Sequence, residues 1–140
     1  MRVLKLSHNE LWNPHHIFPV DMLCSPQIRQ SLQILHLSNN QIRELPLQLN
    51  NFRSLKVLNL ENNKIRSLLL RVSEGPNKSL SCPIGGLENL EELYLNNNRL
   101  KDLPTVFQNF KCLKILGLDW FSYICPPHTL PKILEDQKNI

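Results

Sequence analysis

The chain has 140 residues, 41% of them hydrophobic and 20% charged, with a formal net charge of +4. That is one domain's length with enough apolar content to build a core, which excludes a chain disordered by composition. No apolar run reaches the roughly 18 residues of a membrane-spanning helix, so no insertion into a membrane is expected.

The first element begins at the N-terminus. Met1-Arg2-Val3-Leu4-Lys5-Leu6 has charges interrupting its apolar residues and does not read as a secretory signal. Either the chain is intracellular or its true N-terminus is missing. Met1, Leu4, Leu6, Asn9 and Leu11 are the first copy of a pattern, L-x-x-L-x-L-x-x-N-x-L, and place a strand at 3–5. An insertion near residues 12–27 follows. Its His15-His16 pair has no third ligand nearby in sequence, so no metal is expected.

The second copy is Leu32, Leu35, Leu37, Asn40 and Ile42, with a strand at 34–36 and a return segment marked by Leu45-Pro46, Leu49 and Phe52. Leu55, Leu58, Leu60, Asn63 and Ile65 make the third, with a strand at 57–59. An insertion over 68–79 then precedes Leu80, Ile84 and Leu87, which occupy the return-segment offsets. Gly75-Pro76-Asn77 within it is turn chemistry. The segment reads as a tolerated loop away from the concave face, or as a docking element, since Leu68-Leu69-Leu70 is more apolar than a plain loop requires. The fourth copy, Leu90, Leu93, Leu95, Asn98 and Leu100, places a strand at 92–94 and returns through Leu103-Pro104, Phe107 and Phe110.

A fifth copy starts at Leu113, Leu116 and Leu118, with a strand at 115–117, and then departs. Phe121 stands where Asn belongs and Tyr123 where Leu belongs. Trp120, Phe121 and Tyr123 read as aromatics sealing the last core layer, with a partner hot spot as the alternative. Leu32 to Leu55 and Leu90 to Leu113 are each 23 residues, and the two insertions add about eight and twelve more.

Physical reasons explain the pattern. In each L-x-L core, positions 4 and 6 point inward while positions 3, 5 and 7 point outward. No repeat buries its leucines alone, and stacking supplies the missing neighbour. Asn9, Asn40, Asn63 and Asn98 form a structural ladder, because an amide both donates and accepts where buried backbone would go unpaired. Cys24, Cys82, Cys112 and Cys125 form no CxxC pair and read as reduced thiols. Asn77-Lys78-Ser79 reads as a chance glycosylation match.

These registers resemble those of the leucine-rich-repeat family, and the resemblance implies an α/β solenoid of about five repeats over residues 1–140, a curved parallel sheet with irregular or short helical return segments. The return segments resemble the intracellular 23-residue class, as in Ras-suppressor-like and scribble-like repeats. The resemblance implies protein binding, usually on the concave sheet; separately, no cofactor is expected. Met1 falls on the first consensus position, so the edge strand at 3–5 is expected to be open in this sequence. The chain is therefore expected to be a fragment of a longer array, or to have a partner covering that edge.

The outward rows supply the binding candidates: His36, Asn59, Glu61, Glu92, Tyr94, Asn96 and Trp120. The fold does not need their identities, and Tyr94 on a rigid strand is a low-entropy anchor. A basic row of Arg43, Arg66 and Lys101, with Lys64 and Arg99, lies beside Glu44 and Asp102 and lacks interleaved aromatics. It reads as a solvated face, with contact to an acidic protein surface or tubulin-like tail as the alternative, and no nucleic acid is expected. No catalytic triad, phosphate loop, paired carboxylates or metal signature is visible. The expected function is a non-catalytic scaffold in the cytoplasm. The alternative is a regulatory repeat segment of a larger kinase, GTPase, phosphatase or cytoskeletal or axonemal complex.

Overall fold

Seven short strands are present in the computed structural model, which describes residues 1–12, 25–71, 80–101 and 103–119. They are β1 (Val3–Lys5), β2 (Ile34–His36), β3 (Val57–Asn59), β4 (Leu70–Arg71), β5 (Leu80–Ser81), β6 (Glu92–Tyr94) and β7 (Ile115–Gly117). Five of them form one parallel sheet in the order β1-β2-β3-β6-β7, and β4 and β5 form a separate antiparallel pair. All five expected strands are found at the residues the repeat register gives.

The pairing is in register from repeat to repeat. Val3 faces Ile34, Ile34 faces Val57, Val57 faces Glu92 and Glu92 faces Ile115. Strand alternation therefore stacks like positions into rows across the sheet. Leu35, Leu58 and Leu93 are fully buried, and Leu37, Leu60 and Leu95 are buried two places on. The inner layer is closed by the return segments. Leu49 and Phe52 come from the 3-10 turn Leu47–Asn51 and its end, and Phe107 and Phe110 from the equivalent turn Thr105–Asn109. Phe107 and Phe110 meet edge to face, with centroids 5.2 Å apart and planes at 78°. A six-residue helix, α1 (Pro26–Ser31), serves the first return; proline at its start cannot use an N–H that would be unpaired anyway. Ile28 on this helix packs against the core.

The ladder asparagines behave as their chemistry requires. Asn63 Nδ2 donates to Leu60 O at 3.0 Å in its own turn and to Leu37 O at 2.9 Å in the repeat before, while its Oδ1 accepts from Ile42 N at 3.1 Å. Asn98 repeats this with Leu95 O, Leu60 O and Ile65 N. Asn40 does so with Leu37 O, Leu6 O and the amides of Asn9 and Leu11. Each amide thus ties two repeats together. Asn9 donates to Leu6 O and Ser7 O of its own turn and is exposed.

The second insertion corrects the register read for its repeat. Leu68 is buried and fills the core place three residues after Ile65, as Leu45 does after Ile42. Leu80, expected at that offset in the return segment, is 59% exposed and lies on β5. Ile84 and Leu87 are buried as expected. Leu70 faces Ser81 and Arg71 faces Leu80, so the described residues on either side of 72–79 pair as a short antiparallel ribbon, while residues 72–79 lie outside the described residues. Asn50 fastens the chain where it returns, donating to Cys82 O and accepting from Gly86 N, both at 2.8 Å.

Candidate functional site

The outward face of the parallel sheet carries three rows. The strand pairing places Val57, Glu92 and Ile115 in one row and Asn59, Tyr94 and Gly117 in the next. Beyond the strand ends follow Glu61, Asn96 and Asp119. The core leucines between these positions point the other way, which is what turns the candidate residues outward.

Within these rows the polar side chains are organised. Tyr94 Oη donates to Glu92 Oε2 at 2.8 Å. Asn59 Oδ1 accepts from Glu61 N at 3.0 Å, and its Nδ2 donates to Glu61 Oε2 at 3.3 Å. Both carboxylates are thereby drawn towards the middle row. The phenol of Tyr94 is pushed above its ordinary value, first by its hydrogen bond to the Glu92 carboxylate, then by burial, then by the charges of Glu92 and Glu61. Asn96 Nδ2 donates to Leu118 O at 3.3 Å, and Asp119 Oδ2 accepts from Asn97 N at 2.7 Å.

The structure brings His36, Asn59, Glu61, Glu92, Tyr94 and Asn96 onto one sheet face. Trp120 and the aromatic run after it lie outside the described residues, as do His15, His16 and Asp102. Tyr94 was expected to stand exposed; it is half-buried. It leans towards β7, where a Cβ on Gly117 would come within 3.3 Å of its ring and would collide with Asn96 Oδ1. Gly117 is thus the floor that lets Tyr94 and Asn96 lie down. Its position in the pattern was readable, but its purpose depends on where its neighbours' side chains go.

A second asparagine ladder runs along the edge of this face and was not foreseen. His8, Asn39, Asn62 and Asn97 all have φ between 55° and 59°, the left-handed region in which asparagine is among the most tolerated side chains. Asn97 Nδ2 donates to Asn62 Oδ1 at 2.7 Å, and Asn62 Nδ2 donates to Asn39 Oδ1 at 2.8 Å. These residues are the turn that reverses each repeat, and the recurrence of Asn there was the signal.

The basic row lies apart from the face. Arg43, Arg66, Arg99 and Lys101 are exposed beyond the ladder turn, and Lys64 Nζ donates to Gln41 Oε1 at 3.3 Å. A shallow groove of about 390 Å³ lies between the ribbon and the next return segment, lined by Leu69, Leu80, Cys82, Leu103, Pro104, Thr105 and Val106. Burial pushes the Cys82 thiol up, which keeps it protonated and unreactive. Among the described residues no three His, Cys, Asp or Glu converge on a point, and no helix is long and apolar enough to cross a membrane.

Comparison with known proteins gives the same architecture. Residues 30–71 match the sequence family described as Leucine Rich repeats (2 copies), and residues 89–110 match Leucine Rich Repeat. No curated protein is significantly similar in sequence. The leucine-rich-repeat ectodomain of the receptor kinase SOBIR1 from Arabidopsis thaliana is 25% identical, with a TM-score of 0.59 over 84% of this chain and 55% of that one. An internalin (inlF) from Listeria monocytogenes shares the fold at 19% identity and a TM-score of 0.64, over 95% of this chain and 32% of its own. The plant peptide hormone receptor RGFR1, solved in complex with RGF2, does so at 19% identity and 0.58, over 85% and 17%. The chain spans about half or less of the length of these proteins. With two family matches placed on in-register strands and an asparagine ladder, the chain belongs to the leucine-rich-repeat family.

Proposed function

We propose that this chain is a non-catalytic protein-binding module whose partner docks on the outward face of the five-stranded sheet, centred on Tyr94. The observation that carries the reading is the row Asn59-Tyr94-Gly117. A half-buried aromatic ring is laid over a glycine and anchored by Glu92, where the fold itself requires neither residue. Preorganised aromatics of this kind dominate interface energies, because little side-chain entropy is lost on binding. The solved peptide hormone receptor complex shows that a chain of this fold can belong to a peptide receptor.

The test uses the chain as bait for partners from its source cell. Tyr94→Ala should weaken capture of a specific partner by about 1–3 kcal/mol while circular dichroism is unchanged. Removing the ribbon between Leu69 and Cys82 should leave capture intact. If removal of the ribbon abolishes capture and Tyr94→Ala does nothing, the docking element is the ribbon and its groove instead.

A further inference from the structure

The outward face divides by charge. Over β1 and β2 it carries Lys5 and no acidic side chain. Over β3, β6 and β7 and the residues just beyond them it carries Glu61, Glu92 and Asp119 and no basic side chain. This separation occurs in a chain whose net charge is +4. The cations lie elsewhere: in the row beyond the ladder turn, and at the leading ends of the strands, where Lys56 and Lys114 both pair with Glu91 at 3.9 and 3.6 Å. Among the described residues neither Glu61 nor Glu92 meets a lysine or arginine.

What surrounds these two carboxylates is specific. Glu92 has an apolar neighbour on each side, Val57 on β3 and the 40%-exposed Ile115 on β7. Glu61 is drawn back by Asn59 and Glu92 is held by Tyr94, so both negative charges lie towards the Tyr94 ring. A cation over that ring would gain from the π face and from two carboxylates, while its aliphatic stem rests on Val57 or Ile115. A guanidinium suits this best, since its planar fork can take a carboxylate and stack on an aromatic together.

We infer that the half of the outward face over β3, β6 and β7 docks a partner segment bearing arginine or lysine side chains, with one cation seated over Tyr94 and against Glu61 and Glu92. This rests on the sheet face being the binding surface, and it adds the chemistry of what binds there. A pair of part-exposed carboxylates that meets no lysine or arginine among the described residues favours encounter with a basic partner and rejects an acidic one.

The probes are three labelled peptides of equal length, alternating serine with arginine, with glutamine or with glutamate. Binding to the full chain is read by fluorescence anisotropy, and its location by amide NMR shifts. The arginine peptide should bind, with shifts confined to residues 57–61, 92–96 and 115–119, and should weaken as salt is raised. Glu61→Gln with Glu92→Gln should reduce its affinity about tenfold, and Glu92→Asp, which keeps the charge, should retain it. An unchanged spectrum outside those strands confirms that the variants are folded. If the glutamate peptide binds these strands as well as the arginine peptide does, the cationic partner is wrong although the face still binds. If the arginine peptide fails to bind, or shifts only residues 69–71 and 80–82, the inference is likewise overturned. The Tyr94→Ala capture experiment then decides separately whether the sheet face is used at all.

Discussion

Asn63 and Asn97 show how much a single asparagine's value depends on its place. Asn63 is 7% exposed, and its amide satisfies backbone groups of two repeats that would otherwise be buried without partners. Replacing it with alanine should cost about 1–3 kcal/mol, the penalty of orphaned buried polar groups. Asn97 is exposed and bonds to Asn62, with water available to both. Asn97→Ala should cost less, mainly through its left-handed backbone, where alanine is poorer than asparagine. Urea unfolding of the two variants gives the ordering directly. The Tyr94 phenol supplies a second prediction at this scale. Its folded value is raised, so the folded chain holds the proton to higher pH than the unfolded chain does. The associated stability is present below the ordinary tyrosine value of about 10 and is lost as pH rises through the folded value. Glu92→Gln removes the charged acceptor and should bring the phenol back down towards that ordinary value in a spectrophotometric titration, with Tyr94→Phe as the blank.

The strands were legible because two signals agree. Period-two leucines fix which face is buried, and the repeat interval fixes which residues pair, so a one-residue slip would expose every core leucine. The ladder asparagines were legible because their polar chemistry is needed at one place in each turn. The ribbon was less so. Counting backwards from Leu90 put Leu80 in the core, whereas counting forwards from Ile65 puts Leu68 there, and both leucines fit the consensus spacing. Packing decides for Leu68, because the chain reaches the core directly after the turn, and Leu80 is left on the surface in β5. Leu68→Ala should therefore cost about 2–5 kcal/mol as a buried leucine truncation. Leu80→Ala should change stability by no more than about 0.5 kcal/mol, as expected of an exposed position. Equal losses for the two in thermal or urea unfolding would contradict the register given to the ribbon. The contacts of Tyr94 with Glu92 and Gly117 were legible only as positions on one face. Periodicity shows which way a side chain leaves the strand, but not what it then leans on.

At the scale of the molecule, successive repeats are joined at both levels of the sheet. Backbone bonds such as Leu37 N to Asn59 O and Leu60 N to Tyr94 O, both 2.8 Å, run alongside the ladder amides and the shared leucine core. Such stacking presents its outward side chains on a stiff support, which favours recognition by a preformed surface over recognition by folding on contact. The central claim is that this surface, rather than the ribbon or the basic row, is where a partner binds. Amide hydrogen exchange of the chain, free and saturated with a captured partner, tests it most directly. Slowed exchange is predicted over residues 57–61, 92–96 and 115–119, and it should be lost together with binding in Tyr94→Ala. Protection confined to residues 69–71 and 80–82, with the five-stranded sheet unchanged, would contradict the account.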